Sequence, residues 1–225
     1  MGFFSTVIEW NEYNSNDVIF WKWSDSEIKR GSKLVIKAGQ DAIFLADGRI
    51  EGIFKDEGTY DIESDITPFL SSLKGFKFGF RSGMRAEVLF VNTKEFTVKW
   101  GTFNPVYIKT ESMPAGVPIR ACGTFNCKVS DYIDLIDKIA GINSEYKVSD
   151  IRDRVIGDVS PLLMKWISKE GKDIFHLQEN SEKIAAGIKE DLDMKLNRDG
   201  ITITGFSIQS FSYPDNVWEK MNSGN

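Results

Sequence analysis

The chain has 225 residues and a formal net charge of −5, from 28 basic and 33 acidic side chains. The length allows one large domain or two small ones that share a core, and 41% hydrophobic with 27% charged residues is typical of a soluble globular protein. The acidic balance argues against nucleic-acid binding, which usually needs a concentrated basic face. The sequence shows no apolar run of transmembrane length and no signal-peptide pattern.

Residues 1–24 are predicted to form an N-terminal segment with an apolar helical face. Within 1–13, five apolar side chains fall on one side of a helix: Phe3, Phe4, Val7, Ile8 and Trp10. The pattern predicts a short amphipathic helix, which either lies on a bilayer or packs on the body of the domain. The five residues are therefore candidates for a membrane or partner surface.

Residues 25–115 are predicted to form a first, mainly β lobe. Short apolar runs are separated by turn sequences, of which Asp47-Gly48 favours a two-residue hairpin because both positions tolerate positive φ. Further predictions in this lobe are a short helix over 65–73, strands at about 85–92 and 94–101, and a proline-rich connector between lobes over 104–118.

A row of alternating phenylalanines lies in this lobe. Within 75–83, Phe76, Phe78 and Phe80 alternate with Lys77, Gly79 and Arg81, which is the spacing of a strand. Rings on one side of a strand either enter the core or form a membrane or partner surface. Phe76, Phe78 and Phe80 are therefore also candidate surface residues.

Residues 116–215 are predicted to form a second, α+β lobe that begins with a long strand. Over 119–129, small and apolar residues alternate with polar ones, which indicates a sheet with one buried face. Cys122 and Cys127 lie in this strand at an odd separation, so their side chains should point to opposite faces and no disulfide is expected. Free thiols fit a reducing, cytoplasmic compartment.

Three helices are predicted to follow the long strand. The first has Ser130 as its N-cap and ends near Gly141. The second runs over 148–167, with a kink or break expected at Pro161. The third runs over 181–197 and is predicted from apolar residues that recur every four positions.

The last predicted strand follows this third helix. Gly200 is expected to end the helix in a left-handed conformation. In the strand 201–213 the apolar alternation slips twice, from Ile203 to Phe206 and from Ile208 to Phe211. Each slip predicts a β-bulge.

Residues that build catalytic or metal sites are scarce. His176 is the one histidine of the chain, and a structural role is favoured for it. The two cysteines lack the spacing of a zinc site, and no phosphate loop, dinucleotide glycine fingerprint or nucleophile elbow is found. We therefore predict a non-enzymatic protein with no catalytic, cofactor-binding or metal-binding residues.

Several short motifs are shared with a known family. They are Gly39-Gln40-Asp41-Ala42, Gly48-Arg49 and Gly58-Thr59-Tyr60 in the first lobe, and Ser130-Asp131-Tyr132, Asp199-Gly200-Ile201, Ile208 and Pro214 in the second. Over roughly 25–215 the chain resembles the SPFH or band 7 domain of stomatins, prohibitins and flotillins. The sequences at 83–102 and 170–178 are similar to its bacterial virion-core-protein-like subgroup.

The resemblance implies an α+β SPFH fold, in which an antiparallel β lobe precedes three helices packed on a sheet. It also implies a scaffold at the cytoplasmic face of the cell membrane that forms homo-oligomers and recruits protein partners, such as membrane or membrane-stress proteins. Two alternatives stay open: a soluble adaptor tethered through an integral membrane partner, and a ligand-binding or hydrolytic module around His176 or Arg120. Subgroup members often continue into a zinc-ribbon tail, so residues 216–225 are expected to begin a C-terminal region.

Overall fold

The chain is organised as two compact units, and it passes between them three times. Unit 1 contains Met1–Lys94 and Asp131–Val148, and unit 2 contains Glu95–Ser130 and Ser149–Asn225. The predicted lobe boundary at 115/116 therefore lies inside unit 2. The computed structural model describes residues 6–10, 17–23, 27–28, 31–46, 48–66, 68, 84–85, 87–111, 113–140, 143–171, 174–215, 217 and 219.

Unit 1 is built from short strands in three sheets. Its strands are β1 (Val7–Glu9), β2 (Val18–Lys22), β3 (Glu27–Ile28), β4 (Lys33–Ile36), β5 (Gln40–Ala46), β6 (Arg49–Phe54), β7 (Gly58–Asp61), β8 (Met84–Arg85), β9 (Glu87–Asn92) and β13 (Glu145–Lys147). The sheet orders are β1-β4-β7, β13-β2-β9-β5-β6 and β3-β8. Only β1 and β4 pair in parallel among the described strands, so the predicted antiparallel character of this part is confirmed.

The helix predicted for the N-terminal segment is wrong at Val7–Glu9, which forms β1 and pairs with β4. An isolated helix of this length is marginal in water, whereas valine, isoleucine and tryptophan suit a half-buried strand. The strand alternation exposes Val7 and buries Ile8 and Trp10 in the unit 1 core, where the Trp10 ring stacks on Trp21 at a centroid distance of 6.5 Å.

After β12 (Val117–Val129) the chain returns to unit 1 through α1 (Tyr132–Leu135) and a π-helical turn, Ile136–Ala140. The N-cap is Asp131 and not the predicted Ser130. The Asp131 carboxylate accepts hydrogen bonds from the backbone N–H groups of Ile133 and Asp134, at 2.7 and 3.1 Å. A carboxylate is favoured at this end because it also interacts with the helix dipole.

Unit 2 is centred on β12, which pairs with β10 (Phe96–Gly101), β11 (Val106–Ile108) and β14 (Ile201–Ser212). The predicted connector over 104–118 is therefore wrong, because it contains β11 and the start of β12. Both predicted bulges of β14 are present. The register with β12 skips one residue of β14 at Thr204 and another at Gln209, as the slipped alternation indicated.

Two α-helices of the described residues belong to unit 2, α2 (Val148–Glu170) and α3 (Ser181–Leu196). The first of the three predicted helices, α1, belongs to unit 1 instead. Gly200 has φ 76° after α3, which confirms the predicted helix end. Of the kink or break expected at Pro161, the break does not occur, because α2 continues through it. Pro161 lies on the exposed side, where water can hydrate the carbonyl of Gly157 that loses its helical partner.

Trp166 of α2 contacts α3 through a hydrogen bond and through close packing. The Trp166 Nε1–H donates to the Asp191 carboxylate at 2.6 Å, and the Lys165 Nζ donates to the same oxygen at 2.6 Å. Lys169 Nζ lies 4.3 Å from the Trp166 ring centroid. A Cβ at Gly187 would lie 2.3 Å from three atoms of this ring, so the ring can pack there only against a glycine.

Candidate interaction surface

One face of the unit 2 sheet is polar and basic. Along β12, Ile119, Phe125 and Cys127 are buried on one face, while Arg120 and Lys128 are exposed on the other. Lys99 of β10 is exposed and pairs in register with Thr124 of β12. Opposite residues of neighbouring strands point to the same side of a sheet. We call Lys99, Arg120 and Lys128, with the hydroxyl-rich residues between them, the basic face.

The three cations form a stripe. Arg120 and Lys128 lie four residues to either side of Thr124 on β12, so each is about 13 Å from the level of Lys99 at about 3.3 Å per residue. Among the described residues, no carboxylate forms an ion pair with any of the three. The Glu95 carboxylate also lies on this face, where it accepts hydrogen bonds from Asn126 and Thr204 at 3.2 and 2.6 Å. Three cations against this one carboxylate leave the described part of the face with a net positive charge, in a protein of net charge −5.

One exposed aromatic ring lies on the basic face, and a second is exposed in the loop next to it in the sequence. Phe103, in the loop between β10 and β11, is 84% exposed, and Tyr107 of β11 is 58% exposed. Tyr107 pairs in register with Pro118, which has the same strand parity as Arg120 and therefore the same face. Exposed rings beside cations are the composition with which peripheral proteins meet a lipid headgroup layer.

The candidate surface residues from the sequence meet different outcomes. Ile8 and Trp10 are buried, so neither presents a surface in this fold, whereas Val7 is 51% exposed. Phe3, Phe4, Phe76, Phe78 and Phe80 lie outside the described residues. The sequence reasoning missed Phe103 and Tyr107 because it took their segment for a connector. It placed Arg120 and Lys128 on the polar side of a strand, but Lys99 joins them only through the register of β10.

Two of the family motifs meet inside unit 1. The Tyr132 hydroxyl donates to Asp41 Oδ2 at 2.5 Å, and Lys55 Nζ lies 5.7 Å from the Tyr132 ring centroid. Burial, followed by the hydrogen bond to Asp41 and the negative charge of that carboxylate, raises the pKa of the Tyr132 hydroxyl above its ordinary value. The phenol therefore stays protonated and holds α1 on β5, which is a structural role.

The described residues contain no group of histidine, cysteine and carboxylate side chains suited to a metal ion. Cys122 is exposed and Cys127 is buried, and both are free. His176 is exposed in the 3-10 helix Ile174–Asn180. None of the described helices is both long enough and apolar enough to cross a bilayer.

Comparisons with known proteins agree with this architecture. The model of the SPFH domain-Band 7 family matches residues 18–225. The chain is also 62% identical over 213 residues to the uncharacterized protein YdjI of Bacillus subtilis (strain 168). The matched region covers 95% of this chain but 66% of that relative, so the chain spans less than two thirds of it. With its α+β fold of antiparallel sheets and helices, the chain belongs to the SPFH domain-Band 7 family.

Proposed function

We propose that this protein is a non-enzymatic SPFH scaffold that associates peripherally with the cytoplasmic face of the membrane, oligomerises and recruits partner proteins. Proteins of the SPFH family are generally non-enzymatic scaffolds that oligomerise and associate with membranes and other proteins. The role in membrane organisation or envelope stress, and the virion-core-protein-like subgroup, belong to the same proposal.

The observation that carries the proposal is the basic face of unit 2. Its three cations lie on one exposed face of the sheet, and Tyr107 lies on the same face, while Phe103 is exposed in the loop before β11. Each lysine or arginine near an anionic leaflet contributes about 1 kcal/mol of binding. Three such residues therefore supply about 3 kcal/mol, which corresponds to about a hundredfold in affinity.

Co-sedimentation with phospholipid vesicles tests direct lipid contact. The protein is expected to pellet with phosphatidylcholine vesicles that contain an anionic phospholipid and to stay in the supernatant with phosphatidylcholine alone. The triple variant Lys99→Gln, Arg120→Gln, Lys128→Gln should lose about a hundredfold in affinity. High salt should weaken vesicle binding by the wild type until it approaches that of the triple variant, because salt screens the charges.

A matched variant separates the basic face from net charge. Lys33, Arg49 and Lys183 are exposed and lie elsewhere in the two units, so changing them to glutamine removes the same three charges. This variant should bind anionic vesicles nearly as well as the wild type. If both triple variants lose the same affinity for anionic vesicles, overall charge explains the loss and the basic face does not. If the wild type does not bind these vesicles, direct lipid contact is refuted.

A second candidate function is a soluble adaptor that reaches the membrane only through an integral membrane partner. The acidic net charge favours it, because anionic lipid repels most of such a surface. In this case membrane extracts stripped of protein should not retain the chain, whereas a pull-down of the full protein should recover an integral membrane protein.

A further inference from the structure

A cleft of about 530 Å³ lies within unit 1, away from the basic face in the sequence. Its described lining consists of five successive residues of and after β6, together with two residues in and after β7: Gly52, Ile53, Phe54, Lys55, Asp56, Tyr60 and Asp65. The volume is in the range of sites that hold small ligands or peptide side chains.

The lining shows that the cleft runs along the edge of β6. Side chains of successive strand residues point to opposite faces of a sheet. A cleft over one face would therefore be lined by alternate residues, whereas this cleft is lined by Gly52, Ile53 and Phe54 in succession. A cavity that contacts both parities on the outermost described strand of its sheet reaches the edge of β6 at its C-terminal end.

This edge of β6 has no strand partner among the described residues. β6 is the last strand in the order β13-β2-β9-β5-β6, and its one described partner is β5. Its outward backbone N–H and C=O groups therefore present a template for another extended chain. Two apolar side chains of β6 are accessible to such a chain, since Ile53 is 39% exposed and Phe54 is half-buried.

Two carboxylates, Asp56 and Asp65, line the cleft, and they belong to an acidic stretch of the chain. Residues 56–65 contain five carboxylates and no lysine or arginine: Asp56, Glu57, Asp61, Glu63 and Asp65. The hydrogen bond from the Asp61 backbone N–H and another from Ser64 Oγ hold the pKa of Asp65 below its ordinary value. Lys55, the one cation among the described residues of the lining, lies with its Nζ 5.7 Å from the Tyr132 ring centroid.

We propose that an extended, lysine- or arginine-containing segment of a partner protein binds in this cleft as an additional strand on β6. Backbone hydrogen bonds to β6 supply the register, an apolar side chain of the segment packs between Ile53 and Tyr60, and a neighbouring cation faces Asp56 and Asp65. The site lies in unit 1 and does not depend on lipid binding.

Fluorescence anisotropy with a labelled peptide of alternating lysine and valine tests the proposal on the whole chain. The peptide should bind, and hydrogen exchange of the Gly52–Phe54 amides should slow on binding. A peptide with the same side chains but methylated backbone nitrogens, and one with glutamate for lysine, should each bind at least about tenfold more weakly.

Protein variants locate the cleft. Asp56→Lys should weaken peptide binding about tenfold, whereas Glu111→Lys, an equal charge change on an exposed residue of unit 2, should not. Asp56→Asn serves if the first variant does not fold. Asp56→Lys should bind vesicles as well as the wild type or better. The peptide test and the vesicle test are therefore independent, and a negative peptide result leaves the proposed lipid contact unaffected.

Three results would overturn the proposal. They are absence of binding by the unmodified peptide, equal binding by the methylated peptide, and no effect of either Asp56 variant. A fourth result would overturn it as well: if the peptide binds only after Lys74, Lys77 and Arg81 are changed to serine, the occupant is the segment 74–81 of this chain itself and not a partner.

Discussion

The contact between Trp166 and Gly187 makes a quantitative prediction for Gly187→Ala. The new Cβ would lie 2.3 Å from three ring atoms of Trp166, where ordinary contacts begin at 3.4 Å, so the ring and α3 must separate by about 1 Å. Overpacking of this kind costs about 1–3 kcal/mol. Displacing the ring also weakens its hydrogen bond to the Asp191 carboxylate, and hydrogen bonds to charged groups contribute about 1.5–3 kcal/mol.

The helix propensity of alanine opposes this loss by about 1 kcal/mol. We therefore expect Gly187→Ala to lower the free energy of unfolding by about 2 kcal/mol, which lowers the Tm by about 4–8 °C for a chain of this size. Thermal unfolding followed by circular dichroism measures the change, and near-ultraviolet signals of tryptophan report the displaced ring.

Gly157→Ala is the matched control. It makes the same substitution in α2 of the same unit, but a Cβ at Gly157 meets nothing within 4 Å. The variant should gain up to about 1 kcal/mol from helix propensity. If Gly187→Ala raises the Tm as Gly157→Ala does, the inference that Trp166 packs tightly against Gly187 of α3 is refuted.

Two further predictions concern unit 2. Burial and, after it, the charge of Glu95 raise the pKa of the Cys127 thiol to about 12. A thiolate-specific reagent should therefore label only the exposed Cys122 in the native protein. Labelling of the native protein should be abolished by Cys122→Ser and unchanged by Cys127→Ser. Burial alone would raise the pKa of the Asp191 carboxyl, but hydrogen bonds from Lys165 and Trp166 outweigh this effect and lower the pKa. Because Asp191→Asn removes the charge that these bonds stabilise, it should destabilise the protein by about 1–2 kcal/mol at neutral pH. A carboxyl whose pKa is lowered by folding stabilises the fold at pH values above its unfolded pKa of about 3.9, and this stabilisation is lost as the pH falls. The difference in Tm between the variant and the wild type should therefore narrow below about pH 4. A difference that stays constant down to about pH 2 would contradict this.

Local patterns were sufficient where the structure depends on neighbouring residues. The slipped alternation predicted both bulges of β14, because a bulge changes which side chains face the core within the strand itself. Gly200 predicted the end of the helical segment for an equally local reason. The alternation over 119–129 correctly placed the buried and exposed sides of β12.

Features that depend on distant partners were not predictable in this way. The apolar residues of Val7–Glu9 fit a helix or a strand, and only pairing with β4 decides between them. Nothing near residues 131–148 shows that they pack with unit 1. The basic face likewise needs the register that brings Lys99 opposite Thr124, and sequence alone does not contain that register.

The return of Asp131–Val148 to unit 1 has a consequence for biosynthesis. When the ribosome has released residues 1–94, the five-stranded sheet still lacks β13, which pairs with β2. Unit 2 in turn cannot close its sheet until β14 has been translated. Nascent chains of this protein therefore expose unfinished sheet edges through most of their synthesis, and such edges are prone to aggregate unless chaperones shield them.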